Sequence, residues 1–203
     1  MANDEVHSGR RRFLTATTAV VGAVGVGFAA VPFITSWKPS ARAQVAGAPV
    51  EVDIGKIDNE PGMRMIVMWR GKPVWIFKRT ADQLKALPAL DERLRDPKSD
   101  NPDQTPAFAK NEFRAIDENI AVIVGICTHL GCVPGYVPEM LPQPFDAKWQ
   151  GGFYCPCHQS RFDLAGRVFA GVPAPSNLEV PPYHFVDDAH TKLVIGVAPK
   201  GAA

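Results

Sequence analysis

All four cysteines of this 203-residue chain fall in two short boxes, and each box also carries a histidine. The first is Cys127-Thr128-His129-Leu130-Gly131-Cys132 and the second is Cys155-Pro156-Cys157-His158-Gln159-Ser160. A disulfide scaffold spreads its cysteines along the chain, so this clustering points to a site. It also constrains the fold. To form one site, two loops separated by residues 133–154 have to meet.

The spacings C-x-H and C-x-x-H let two loops present two thiolates and two imidazoles together. Iron–sulfur clusters are usually held by four thiolates. In one class two histidines replace two cysteines on one iron, and neutral imidazole leaves the cluster less negative and easier to reduce. Cys132 and Cys157 are the remaining pair, one in each box, and they can bridge if the loops meet. A bridge requires an oxidising compartment. A structural zinc site competes with this reading, but the spacing matches no common finger and leaves the extra cysteines without a role. His7, His184 and His190 lie outside the boxes and read as ordinary surface or structural residues.

Residues 1–12 are polar and end in Arg10-Arg11-Arg12, which reads as a cytoplasmic N-terminus. Residues 13–37 then run for 25 positions without a charged side chain. About 20 apolar residues span a bilayer, and a secretory core is only about 7–15 long, so this run reads as a transmembrane anchor. RRRFL resembles a twin-arginine export signal, which suits a protein that is folded around a cofactor before export. Ala41-Arg42-Ala43 has the form of a cleavage site, but the length of the run favours an uncut anchor. Residues 38–50 are rich in Ala, Pro and Gly and read as a flexible hinge.

The head, residues 51–203, carries short β-type runs at 51–57, 63–70, 72–79, 118–127 and 190–198. Arg70-Gly71-Lys72-Pro73 predicts a hairpin turn. Residues 80–87 predict a helix with Thr80 as N-cap and Gln83 completing a capping box. Residues 88–114, rich in Pro, Asp and Asn, read as an irregular excursion. The 19 prolines and 17 glycines favour short strands and many turns. The expected fold is an all-β head of antiparallel sheets, with a small cluster-binding subdomain at about 120–180 and one N-terminal transmembrane helix. A formal charge of +1 lacks the basic face of a nucleic-acid binder.

CTHLGC and CPCHQS, followed by FDLAGRVFAGVPAPSNLEVPPY, resemble the Rieske protein of ubiquinol–cytochrome c reductase, the cytochrome bc complex of bacteria. The resemblance implies one [2Fe–2S] cluster, with Cys127 and Cys155 on the inner iron and His129 and His158 on the outer. The two histidines would face quinol and take part in the reaction, and Ser160 would donate a hydrogen bond to a bridging sulfide. Cys132 and Cys157 would form a disulfide. Residues 171–175 would be a proline loop over the cluster, and Leu130 an exposed tip that docks on cytochrome b. The implied partners are cytochrome b and a c-type cytochrome in a dimeric complex, and the implied reaction is electron transfer within a quinol–cytochrome c reductase that translocates protons. The anchor would cross the bacterial inner membrane once, with the head on the periplasmic side. Two positions depart from the family pattern: Gln159 stands where Gly is common, and Phe162 where Tyr is common. A Rieske subunit of another exported oxidoreductase, such as arsenite oxidase, is the second reading. The box separation and the VPAPSNLEVPPY tail favour the first.

Overall fold

A computed structural model describes residues 8–57 and 63–201. The backbone divides into one unit that ends at Val45 and another that begins at Ala46, so the division falls within the expected 38–50 hinge. His7 lies outside the described residues.

In the first unit, helix α1 runs Ser8–Thr35 and none of its residues is buried. It begins at Ser8, ahead of the arginines and of the expected 13–37 anchor. Its most apolar 18-residue window has a mean hydropathy of 1.9, which is long and apolar enough for a bilayer. Pro32 sits within its last turns, where Ser36 and Thr35 hydroxyls bond back to the Phe33 and Val31 carbonyls. The hinge is not featureless. Helix α2, Ala41–Ala46, occupies part of it, and the Ser40 hydroxyl accepts a bond from the Ala43 N–H at its start.

The second unit holds nine strands among the described residues: β1 Val50–Asp53, β2 Arg64–Trp69, β3 Lys72–Lys78, β4 Ile120–Val124, β5 Gly135–Val137, β6 Gly152–Tyr154, β7 Arg161–Phe162, β8 Tyr183–Phe185 and β9 Lys192–Ile195. They form three antiparallel sheets, in the orders β1-β9-β8, β2-β3-β4 and β5-β6-β7. The β2–β3 hairpin turns at Arg70-Gly71, both at positive φ (52° and 73°), the geometry of a tight two-residue loop. Helix α3, Ala81–Ala89, begins with the expected capping box, with both Thr80–Gln83 bonds present.

Alternation along β3 and β4 builds the interior. Val74, Ile76, Val122 and Val124 face one core with Val52, Tyr183, Leu193 and Ile195. Trp75, Phe77, Ala121 and Ile123 face a second core with Phe153, Phe162, Leu164 and the two free cysteines. The β2-β3-β4 sheet is therefore a middle layer, and every residue of β4 is buried. This explains why its sequence is a continuous apolar run, as for a strand covered on both faces. Trp75 stacks on Phe153 with ring centroids 4.6 Å apart. The approach needs Gly125, where a Cβ would come within 2.2 Å of the indole.

The 88–114 excursion is irregular, as expected, but it is not loose. Three buried arginines tie it to the second core. Arg79 donates to the Leu164, Glu118 and Phe113 carbonyls. Arg114 donates to Thr105 and to the Gln104, Ala165 and Leu178 carbonyls. Arg167 pairs with buried Asp163 and with Asp91, and donates to the Leu87 carbonyl. Arg167 is thus ion-paired, whereas Arg79 and Arg114 have only neutral acceptors, and burying such charges is tolerated because each is hydrogen-bonded several times over.

Candidate metal centre

The two boxes fold into the same loop. In the first, the Cys127 N–H donates to the Cys132 carbonyl (2.7 Å) and the Gly131 N–H to the Cys127 carbonyl (3.0 Å). In the second, the Cys155 N–H donates to Ser160 (2.8 Å) and the Gln159 N–H to Cys155 (2.9 Å). The corresponding residues Gly131 and Gln159 both have positive φ, 80° and 61°. β4 leads toward the first loop, and β6 and β7 flank the second.

The loops meet. A Cys132–Cys157 disulfide joins them, with Cα atoms 6.8 Å apart. Cys127 and Cys155 are free, buried thiols. The His129 and His158 rings lie 4.6 Å apart at 90°. His158 is exposed and His129 half-buried. His129 Nδ1 is buried without a hydrogen-bond partner among the described residues. Burial pushes the Cys127 thiol up; the His129 N–H acts in the other direction, the neighbouring Cys155 adds to the rise, and the Ser160 hydroxyl opposes it.

This donor set fits a metal group. The buried Cys127 thiol resists ionisation unless a cation is present, and an orphaned buried imidazole nitrogen is costly unless it is a ligand. His184 and His190 lie elsewhere. His184 bonds to the Val197 carbonyl, and His190 pairs with Asp117 at 2.7 Å.

Residues 171–175 lie against the second box and are tied at three points. The Ala174 N–H donates to Ser160 Oγ (3.0 Å), Arg95 donates to the Val172 carbonyl (3.0 Å), and Thr128 donates to the adjacent Ser176 carbonyl (2.6 Å). Beside His158 a shallow cavity is lined by Phe145, Gln159, Arg161, Gly171, Val172 and Pro173. Leu130, at the tip of the first box, is 70% exposed.

Two family models match the chain. Residues 101–183 match the Rieske [2Fe-2S] domain, and residues 1–40 match the "Ubiquitinol-cytochrome C reductase Fe-S subunit TAT signal". The ubiquinol–cytochrome c reductase iron–sulfur subunit of Allochromatium vinosum is 53% identical over 97% of this chain and 92% of its own length. The chain belongs to the Rieske iron–sulfur subunits of ubiquinol–cytochrome c reductase. The subunit of the same name from Blastochloris viridis is 41% identical over 97% of this chain and 99% of its own length. That from Rhodospirillum rubrum is 43% identical over 93% and 92%.

The Rieske fold, the [2Fe–2S] cofactor and the disulfide are thus established, and neither the zinc module nor the arsenite-oxidase type of subunit is favoured. Sequence reasoning missed the supports of this Rieske site. Arg95 and Thr128 hold the proline-rich segment, and Asn177, fully buried, joins the Val168 N–H to the Asp96 carbonyl and Ser99. The only signal was polar residues in otherwise apolar surroundings, and that does not name a partner.

Proposed function

We propose that this chain is the electron-transfer subunit of a membrane quinol–cytochrome c reductase, with Cys127 and Cys155 holding the inner iron and His129 and His158 the outer. The observation that carries the ligand set is the buried, unpartnered Nδ1 of His129 beside the His158 ring, in the two loops that also carry the free buried thiols. When bound, the [2Fe–2S] group supplies the one-electron step between quinol and the c-type cytochrome, at a potential raised by imidazole ligation.

The residues themselves do the rest. An imidazole whose Nδ1 faces the metal directs its Nε2 outward. There only a ring that has lost its outer N–H could accept the hydrogen bond, and then the proton, of a quinol hydroxyl. Exposed His158 and half-buried His129 fill this role. Exposed Leu130, with neighbouring Val133 (54% exposed), gives the tip an apolar surface for cytochrome b. Ser160 orients its hydroxyl by accepting from Ala174, which leaves its proton for the sulfur side of the site.

The reading extends to location. Arginines at the start of α1 favour a cytoplasmic N-terminus, and a structural disulfide favours an oxidising compartment for the head. The chain thus crosses the bacterial inner membrane once, with its head on the periplasmic side, in a dimeric complex with cytochrome b and a c-type cytochrome. The 38–50 segment lets the head move between them.

Affinity purification of the tagged chain from detergent-solubilised membranes tests this. Co-purifying b- and c-type haem spectra are expected, with quinol-dependent reduction of the c-type haem. Recovery without either haem would overturn the assignment. Reduced protein should also give an EPR signal with an average g below that of all-thiolate clusters. His129→Ala and His158→Ala should each abolish it, and a normal signal in either variant removes that residue from the ligand set.

A further inference from the structure

Among the described residues, Arg161 is the one permanently charged side chain in the wall of the cavity beside His158. Its place is fixed by several contacts. It lies in β7, where it pairs with Tyr154 of β6. Its guanidinium donates to the Phe145 carbonyl (2.9 Å) and lies over the Phe169 ring, with Cζ 5.7 Å from the centroid. The side chain is only 25% exposed, so water screens its charge incompletely.

The carboxylate that faces it is mostly engaged elsewhere. Buried Asp146 stands 3.5 Å from Arg161, but 2.5 Å from Arg93, and its other oxygen accepts from the Lys148 N–H. Arg93 is itself held by the Lys148 carbonyl and lies over the same Phe169 ring, at 5.0 Å. Arg93, Asp146 and Arg161 therefore carry two positive charges and one negative. Attraction falls with distance, so Arg93 takes the larger part of the Asp146 charge and Arg161 keeps a surplus at the cavity. A third cation, Arg95, ends on the Val172 carbonyl of the same wall, so the surplus is not offset there.

We propose that Arg161 raises the reduction potential of the site by its charge, that Asp146 damps this effect, and that Arg93 limits the damping. The inference rests on the reading of His158 as a ligand. Reduction brings one negative charge onto the iron–sulfur group, and a fixed cation beside one of its imidazoles favours that charge over the oxidised state. The effect is larger where burial lowers the effective dielectric. It differs in kind from the contribution of Ser160, which acts through a hydrogen bond. Arg161 acts through space, so its influence depends on the sign of the charge network around it and not on contact with a sulfur.

The test is an EPR-monitored redox titration of the full-length holo-protein in detergent. Arg161→Gln should lower the reduction equilibrium constant about fivefold or more, which is roughly 40 mV at about 59 mV per tenfold for one electron. Asp146→Asn should raise it about twofold or more. Arg161→Lys keeps the charge and should lose less than half of the glutamine shift. Opposite signs separate charge from packing, because a merely loosened cavity admits water in both variants and moves both potentials the same way. An unmoved potential in Arg161→Gln, or shifts of one sign in Arg161→Gln and Asp146→Asn, overturns the proposal. If the glutamine variant holds no cluster, Asp146→Asn still decides, since a potential that stays or falls there refutes the surplus charge. The EPR signal of His158→Ala checks the ligand reading separately. A normal signal there removes His158 from the iron, whatever the arginine variants do.

Discussion

Gln159 carries a local cost that the loop symmetry exposes. It occupies the place that Gly131 fills in the first box, and both residues sit at positive φ. A side chain there costs roughly 1–2 kcal/mol, from the clash of its Cβ with the following carbonyl. Gln159→Gly should therefore stabilise the holo-protein by about 1 kcal/mol, a rise of about 2–4 °C in Tm for a head of this size. An unchanged or lower Tm would mean that the glutamine side chain makes a contact worth more than its strain. Phe162 poses the opposite case. It is fully buried in the core that holds Cys127, whose thiol pKa, raised by burial, is held back by the His129 backbone N–H and the Ser160 hydroxyl. A family tyrosine would add one more donor. The reduced cluster carries one more negative charge than the oxidised one, so an added donor stabilises it more and raises the potential. A neutral hydrogen bond is worth about 0.5–1.5 kcal/mol, and about 59 mV corresponds to ~1.4 kcal/mol for one electron. Phe162→Tyr should raise the midpoint potential by tens of millivolts, roughly. A redox titration with no shift would show that position 162 does not tune the cluster.

At the level of elements, the strands read from the sequence were those whose residues alternate between two cores or fill one. β2 and β3 lie within the expected runs, as do β4 and β9, and α3 began at its expected cap. β5, β6 and β7 were not legible, since runs of two or three residues show no period. Their pairing is enforced by tertiary contact. Gly152 shows this, because a Cβ there would come within 2.0 Å of the Phe162 carbonyl. The two boxes were legible because few residue types can hold iron, and the structure brings them together; their ligand roles are proposed. Their supports were not, because a carbonyl acceptor can belong to any residue. Arg95 is the clearest example. It sits in the excursion that looked irregular, yet it donates to Val172 in the proline-rich segment. A charged hydrogen bond of this kind is worth about 1.5–3 kcal/mol. Arg95→Met should therefore speed amide exchange across 171–176 by about tenfold or more, while β3 and β4 keep their protection. Unchanged exchange would assign the loop's order to Ser160 and Thr128 alone.

The molecule as a whole joins two cores through one shared sheet, and the cores depend on the metal group to different degrees. The core beneath β1, β8 and β9 contains no metal-site residue, and it is closed by regular strands and by the Tyr183 hydroxyl, which accepts from the Ile116 N–H. The other core contains Cys127 and Cys155 and is roofed by strands of two and three residues, two box loops and the 171–175 segment. Little regular hydrogen bonding holds that roof, so on the proposed ligand set the bonds to the metal group would form a large share of its order. Removing the group leaves two buried thiols and an orphaned imidazole, each of which is relieved by local opening. The disulfide limits that opening but does not replace four ligands. Chelation should therefore raise amide exchange from about residue 127 to 178 by more than tenfold, as expected for an opening that costs at least ~1.4 kcal/mol less, while β1, β3, β8 and β9 stay protected. Hydrogen-exchange mass spectrometry on holo and stripped protein reads this directly. A uniform loss of protection over both cores would show that the shared β3–β4 pair transmits the disorder and that the head unfolds as one unit. No change in either core would show that the box loops are preorganised by backbone bonds and the disulfide alone.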